Sequence, residues 1–136
     1  MSQADGLGIL PAYVLDASAL LAFLHQEVGA DTVGPLLSRS AISSVNWAEV
    51  LQRAISLGLG SQGRRKELQG LGLRILPFTA EDAESTAQLW PTTRRAGLSL
   101  GDRACLSLAQ KLGLPALTAD RGWAALGLEV EVRLIR

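Results

Sequence analysis

Short apolar runs alternate with longer segments rich in Ala and Leu along almost the whole chain, and this alternation constrains the fold more than any other feature. Four runs have strand length and composition: Ala12-Tyr13-Val14-Leu15, Leu73-Arg74-Ile75-Leu76, Pro115-Ala116-Leu117-Thr118 and Val130-Glu131-Val132-Arg133-Leu134. Ala41-Ile42 is a shorter candidate. The segments between them read as helices at Ser18–His25, Gly29–Ser38, Val45–Leu57, Ser61–Gly70, Thr79–Arg95 and Leu100–Leu112. In the third, Trp47, Val50, Leu51 and Ala54 fall three and four apart, as one buried helical face requires. Pro91 is expected to kink or end the fifth, and Gly113 to stop the last. Strands that alternate with helices pair in parallel through crossovers, so the expected fold class is α/β, a sandwich with helices on both faces of one sheet. No repeat or linker divides the 136 residues, and a single domain over 1–136 is expected.

Composition excludes several classes. Hydrophobic residues make up 48% of the chain and the formal net charge is zero, which is incompatible with a disordered protein. The longest strongly apolar stretch, Ala17–Leu24, is far shorter than a membrane span needs. No basic segment leads an apolar core at the start, so no secretory signal is expected. Cys105 is the single cysteine, which rules out an intrachain disulfide, argues against a Cys-based metal site and fits a reducing cytoplasm. The neutral total hides an uneven spread, with five acids against one base in residues 1–50 and four against seven in residues 51–100. A nucleic-acid partner would therefore be held by local clusters, Arg64-Arg65-Lys66 or Arg94-Arg95, unless these are simply solvated surface.

Four acids stand where an α/β fold gathers ligands, at the carboxyl ends of strands and the starts of the following helices. Asp16 follows the first strand, where it either caps the next helix or points into the crevice. Glu49 borders the apolar stripe of its helix, either in that crevice or half-exposed and paired with Arg53. Asp102 completes an S-x-x-D capping pattern with Ser99, and Asp120 is placed to cap a short helix after the fourth strand. Taken together, they carry more weight, because this topology can bring several of them to one end of the sheet. Converging carboxylates repel one another, and a divalent cation removes that repulsion. His25 is the only histidine, which argues against a zinc site or a His-dependent triad. Ser18 and Thr118 are candidate supporting hydroxyls.

The motifs Asp16-Ala17-Ser18-Ala19, Val45-Asn46-Trp47-Ala48-Glu49-Val50, Leu98-Ser99-Leu100-Gly101-Asp102 and Leu117-Thr118-Ala119-Asp120-Arg121, in that order, resemble the PIN-domain ribonucleases. They are most similar to the VapC-like toxins of type II toxin–antitoxin modules. The resemblance runs from about Tyr13 to the last strand and does not extend to residues 1–11, an N-terminal extension to which it assigns no role. It implies a three-layer α/β/α sandwich, Rossmann-like, with a central, mostly parallel sheet. It also implies a Mg²⁺- or Mn²⁺-dependent endoribonuclease acting on structured RNA such as tRNA, a homodimer, and a VapB-like antitoxin whose C-terminal segment blocks the site. By motif, Asp16 and Asp102 correspond to the family's principal metal ligands, and Glu49 and Asp120 to acids that bind directly or through water. Ser18 and Thr118 fall where the family has supporting hydroxyls.

Two rivals weigh less. A catalytically inert PIN-like module that binds RNA or protein has no need of all four acids. An α/β phosphotransferase using Asp16 as a covalent nucleophile lacks its partners, because Ser18 occupies the second position of a D-x-D pattern and the only lysines are Lys66 and Lys111.

Overall fold

The computed structural model describes residues 10–136. Most of the proposed extension, residues 1–9, lies outside the described residues. Five strands, β1 (Tyr13–Leu15), β2 (Ser40–Ser43), β3 (Arg74–Leu76), β4 (Ala116–Thr118) and β5 (Val132–Leu134), form one sheet of order β3-β2-β1-β4-β5. All four pairings among the described residues are parallel, as a Rossmann-like sheet requires. Seven α-helices flank it among the described residues: α1 (Ala17–Leu24), α2 (Ala30–Val33), α3 (Ser44–Ser56), α4 (Arg64–Gly70), α5 (Ala80–Gln88), α6 (Trp90–Thr93) and α7 (Leu100–Leu112).

Alternation along the short strands explains the three layers. Successive side chains point to opposite faces, and Leu15 and Leu117 join Leu20, Ile42, Trp47, Val50 and Leu68 in one core. Their neighbours Val14 and Ala116 join Cys105, Leu106, Leu108 and Trp123 in the other. Helices α1 and α3 thus cover one face, while α7 covers the other. No described helix is long and apolar enough to cross a membrane.

Two expected helices are divided. The segment 29–38 becomes α2 followed by a 3₁₀ helix at Gly34–Arg39, with Pro35 in the first turn of the second piece. The segment 79–95 becomes α5, α6 and a 3₁₀ turn at Arg94–Ala96: the helix breaks at Leu89, as expected just before Pro91, which sits in the first turn of α6. Proline suits a first helical turn because its missing N–H has no partner there.

A capping box fixes the start of α5: the Thr79 hydroxyl accepts from Asp82 N at 3.1 Å, and Asp82 Oδ2 accepts from Thr79 N at 2.9 Å. Asp82 Oδ1 also meets Lys111 Nζ at 3.0 Å, tying α5 to α7. The Thr79 N–H foremost, with Lys111 assisting, holds the Asp82 carboxyl below its ordinary range. A depressed carboxyl stabilises the fold above its unfolded pKa and loses that contribution as pH falls through its folded one. Asp82→Ala is expected to cost about 1–2 kcal/mol at neutral pH, shrinking toward about pH 3, as read by urea unfolding at both pH values.

Candidate functional site

The strand order reverses between β1 and β4, and this switch point is where an open parallel sheet leaves a crevice at its carboxyl edge. Asp16 stands there, directly after β1. Its N–H donates to the Leu117 carbonyl of β4 at 2.9 Å, which sets it beside Thr118. It occupies the position before α1, yet its side chain makes no capping bond, so capping does not account for it. Instead, the Ser18 and Thr118 hydroxyls both donate to Asp16 Oδ2, at 2.8 and 3.0 Å. Both hydroxyls are fixed in turn, since Ser18 Oγ accepts from Ala119 N at 2.9 Å and Thr118 Oγ1 from Asp120 N at 3.0 Å. Asp16 is only 5% exposed. Burial pushes its carboxyl up to about 6; the two hydroxyls oppose the rise and the negative charge of Asp102 adds to it.

Asp102 lies in the first turn of α7, where Oδ2 accepts from Ser99 N at 2.9 Å and the Ser99 hydroxyl accepts from Asp102 N at 3.1 Å. The expected capping box is therefore formed. It engages one carboxylate oxygen, and the same residue still acts electrostatically on Asp16.

Glu49, half-buried on α3, makes no ion pair with Arg53 among the described residues; Oε1 accepts from Asn46 Nδ2 at 2.8 Å. The same Asn46 nitrogen donates to the Gly101 carbonyl at 2.9 Å, joining α3 to the head of α7. Gly101 is needed for this approach, because a Cβ there would lie 2.6 Å from Glu49 Cδ and Oε1. Asn46 and Gly101 lie inside the motifs that carry Glu49 and Asp102, but neither residue type marks it as part of an acidic site. The one available signal was that Asn46 precedes Glu49 by three residues on a helix, hence on the same face.

Cys105, one turn after Asp102, marks where three acids gather. Burial foremost, then the charges of Asp16, Asp102 and Glu49, push its thiol well above the usual range. A thiol so held is inert. Alkylation of Cys105 by iodoacetamide is expected only after denaturation, as mass spectrometry would show.

Asp120 is exposed, and its Oδ1 accepts from Gly122 N at 2.9 Å, capping a 3₁₀ turn at Arg121–Ala125. Its structural reading is thus realised, and it does not join the three acids that act on Cys105. No three His, Cys, Asp or Glu side chains among the described residues are already set as a coordination shell. The chain's own donors hold each carboxylate. His25 follows α1 at the end away from Asp16, about 12 Å along the helix.

The residues at the switch point nevertheless fit a hard divalent cation. They offer oxygen donors only, which suits Mg²⁺ or Mn²⁺ rather than a softer metal. Mg²⁺ needs no more than one or two carboxylates, with water completing its octahedron. Asp16 and Asp102 could supply that pair, and Glu49 is lodged over Gly101.

The basic clusters stand on α4 and in the 3₁₀ turn after α6. Arg64, Arg65 and Lys66 open α4; Arg64 Nε donates to the Gly60 carbonyl at 2.8 Å, while Arg65 and Lys66 line a concavity of about 430 Å³ with Trp47 and Leu51. Arg94 stacks over Trp90, 5.2 Å from the ring centre, and Arg95 is exposed. None of these five cations is ion-paired to an acid of the site among the described residues.

A parallel sheet of this order, with carboxylates at its switch point, defines an open α/β domain, a class in which ligands bind at the carboxyl ends of the strands. The family model of the PIN domain matches residues 13–128, and the chain belongs to that family, whose members are generally nucleases. Solved structures share the fold. A toxin–antitoxin complex from Klebsiella pneumoniae is 21% identical, with a TM-score of 0.63 over 88% of this chain and 98% of that one. DNA-bound VapBC from Salmonella typhimurium is 19% identical, with a TM-score of 0.69 over 93% and 99%. VapBC-5 from Mycobacterium tuberculosis is 26% identical, with a TM-score of 0.55 over 93% and 99%. A search of curated proteins by sequence gave no match.

Proposed function

We propose that this chain is the toxin of a toxin–antitoxin pair, a Mg²⁺- or Mn²⁺-dependent endoribonuclease that hydrolyses phosphodiester bonds of structured RNA such as tRNA. The observation that carries this reading is the buried Asp16 at the switch point, under the charge of Asp102. The solved structures named above, which include VapBC complexes, support an antitoxin partner, and a homodimer is part of the same reading.

Asp16 and Asp102 would hold the cation, with Glu49 beside them. When bound, the cation supplies positive charge against the scissile phosphate. Ser18 and Thr118 orient Asp16 by fixing its Oδ2. Glu49 Oε2, which Asn46 leaves free, orients the attacking water and takes up its proton. The water oxygen joins phosphorus as the bond to the 3′ oxygen breaks, that oxygen takes a proton from a solvent water, and Glu49 returns to solvent the proton it accepted. The products carry a 5′-phosphate and a 3′-hydroxyl, and the 2′-hydroxyl is not consumed. Arg94, Arg95, Arg64, Arg65 and Lys66 are available to RNA phosphates as exposed or half-exposed cations.

The test is incubation of antitoxin-free protein with tRNA and a panel of structured RNAs, in Mg²⁺, in Mn²⁺ and in EDTA. Discrete cuts with 5′-phosphate ends, absent in EDTA, are expected. Binding without cutting under every condition would favour the inert module.

A further inference from the structure

We propose that Asn46 is a positioning residue for the cation site, clamping the Glu49 carboxylate over the first turn of α7 beside Asp102. The inference rests on the reading given under Proposed function and extends it to a residue that no acidic pattern contains. Asn46 is completely buried. Its Nδ2 uses both protons, one on Glu49 Oε1 at 2.8 Å and one on the Gly101 carbonyl at 2.9 Å. The amide orientation is forced, because the flipped form would set Oδ1 against two acceptors.

The opposite end of the same amide shows why the residue is not there for stability alone. Asn46 Oδ1 is buried and has no hydrogen-bond partner among the described residues. An unsatisfied buried carbonyl is a standing cost that an apolar side chain of similar size would not carry. What the asparagine gives in return is a pair of fixed N–H bonds that span α3 and α7 and determine where Glu49 sits. Gly101 completes the clamp from the other side, by leaving the space that the carboxylate fills.

Two substitutions separate this role from a structural one. Asn46→Leu removes the donor and the orphaned carbonyl together. Gly101→Ala keeps Asn46 and improves helix propensity, but its methyl pushes against the carboxylate end of Glu49, a flexible group that moves rather than unfolding the protein. Each variant is compared with wild type in three ways: melting without metal, Mn²⁺ binding by calorimetry, and RNA cleavage. Unchanged or higher metal-free melting is expected, with Mn²⁺ affinity weakened about 10–100-fold and cleavage falling with it. If Asn46→Leu fails to fold, Gly101→Ala decides. Wild-type Mn²⁺ affinity in the folded variants would overturn the positioning role while leaving the nuclease reading intact. A wild-type protein that neither binds Mn²⁺ nor cleaves RNA would overturn both.

Discussion

Asp16→Asn is expected to abolish cleavage and, in the same protein, to raise stability at neutral pH. The two effects share one cause. Asp16 is buried, and its carboxyl titrates at about 6 in the folded protein against 3.8 for a freely solvated aspartate. Because the folded pKa is the higher one, the folded state binds the proton more tightly. Between these values the native protein holds a proton that the unfolded chain has lost, so stability falls as pH rises through this window. Above it the full cost is present, about 3 kcal/mol for a gap of this size. Asparagine carries no charge to desolvate, and its carbonyl still accepts from Ser18 and Thr118. Metal-free Asp16→Asn should therefore be more stable than wild type at pH 7–8 by about 1–3 kcal/mol, with the advantage gone near pH 4. Cleavage should drop about 10³-fold or more, since removing a cation ligand forfeits several kcal/mol of charge stabilisation. Thermal melts across pH, beside an RNA assay, check both halves. A variant that is less stable than wild type at pH 7.5, or that still cuts, contradicts the role assigned to Asp16.

Asp102→Asn should have an equally large effect on cleavage with little effect on the fold. The asparagine carbonyl can replace Asp102 Oδ2 as acceptor for Ser99 N, so the capping box survives. The lost charge costs about 0.3–1 kcal/mol of helix-dipole interaction at the start of α7. It also removes a repulsion from Asp16, whose carboxyl should titrate lower than in wild type. Mg²⁺ provides the second signature. A ligand that binds only the native state stabilises it by about 2.7 kcal/mol at a hundred times its dissociation constant. Wild type should gain this melting shift on adding Mg²⁺ and lose it in EDTA, whereas Asp102→Asn should gain almost none. An identical Mg²⁺ shift in both proteins would place the cation elsewhere.

Much of this was legible in the sequence, for identifiable reasons. The parallel sheet followed from short apolar runs separated by helix-forming segments. Asp16 and Asp102 were legible because each sits at a fixed place relative to an element boundary, one after β1 and the other three residues beyond Ser99. Local chemistry divided what periodicity had joined. Gly29 takes φ +102° before α2, where a Cβ would meet the Ile135 carbonyl at 2.8 Å, and Pro35 and Pro91 each open a new piece of helix. Strand β2 is longer than Ala41-Ile42 because Ser40 and Ser43 are buried too: Ser40 Oγ donates to the Leu36 carbonyl, and Ser43 caps α3. Asn46 was not legible as a contributor, since its second partner, Gly101, is 55 residues away in sequence and meets it only when α3 and α7 pack. Asp120 shows the converse: its position matched the acidic pattern, yet its side chain is occupied in capping a 3₁₀ turn.

The most direct test of the central claim is a calorimetric titration of Mn²⁺ into metal-free wild type and into Asp102→Asn at neutral pH. Saturable binding to the wild-type protein, weakened at least about tenfold in the variant, is the expected result. Equal affinity in the two proteins, or no binding to wild type, would contradict a cation held between Asp16 and Asp102.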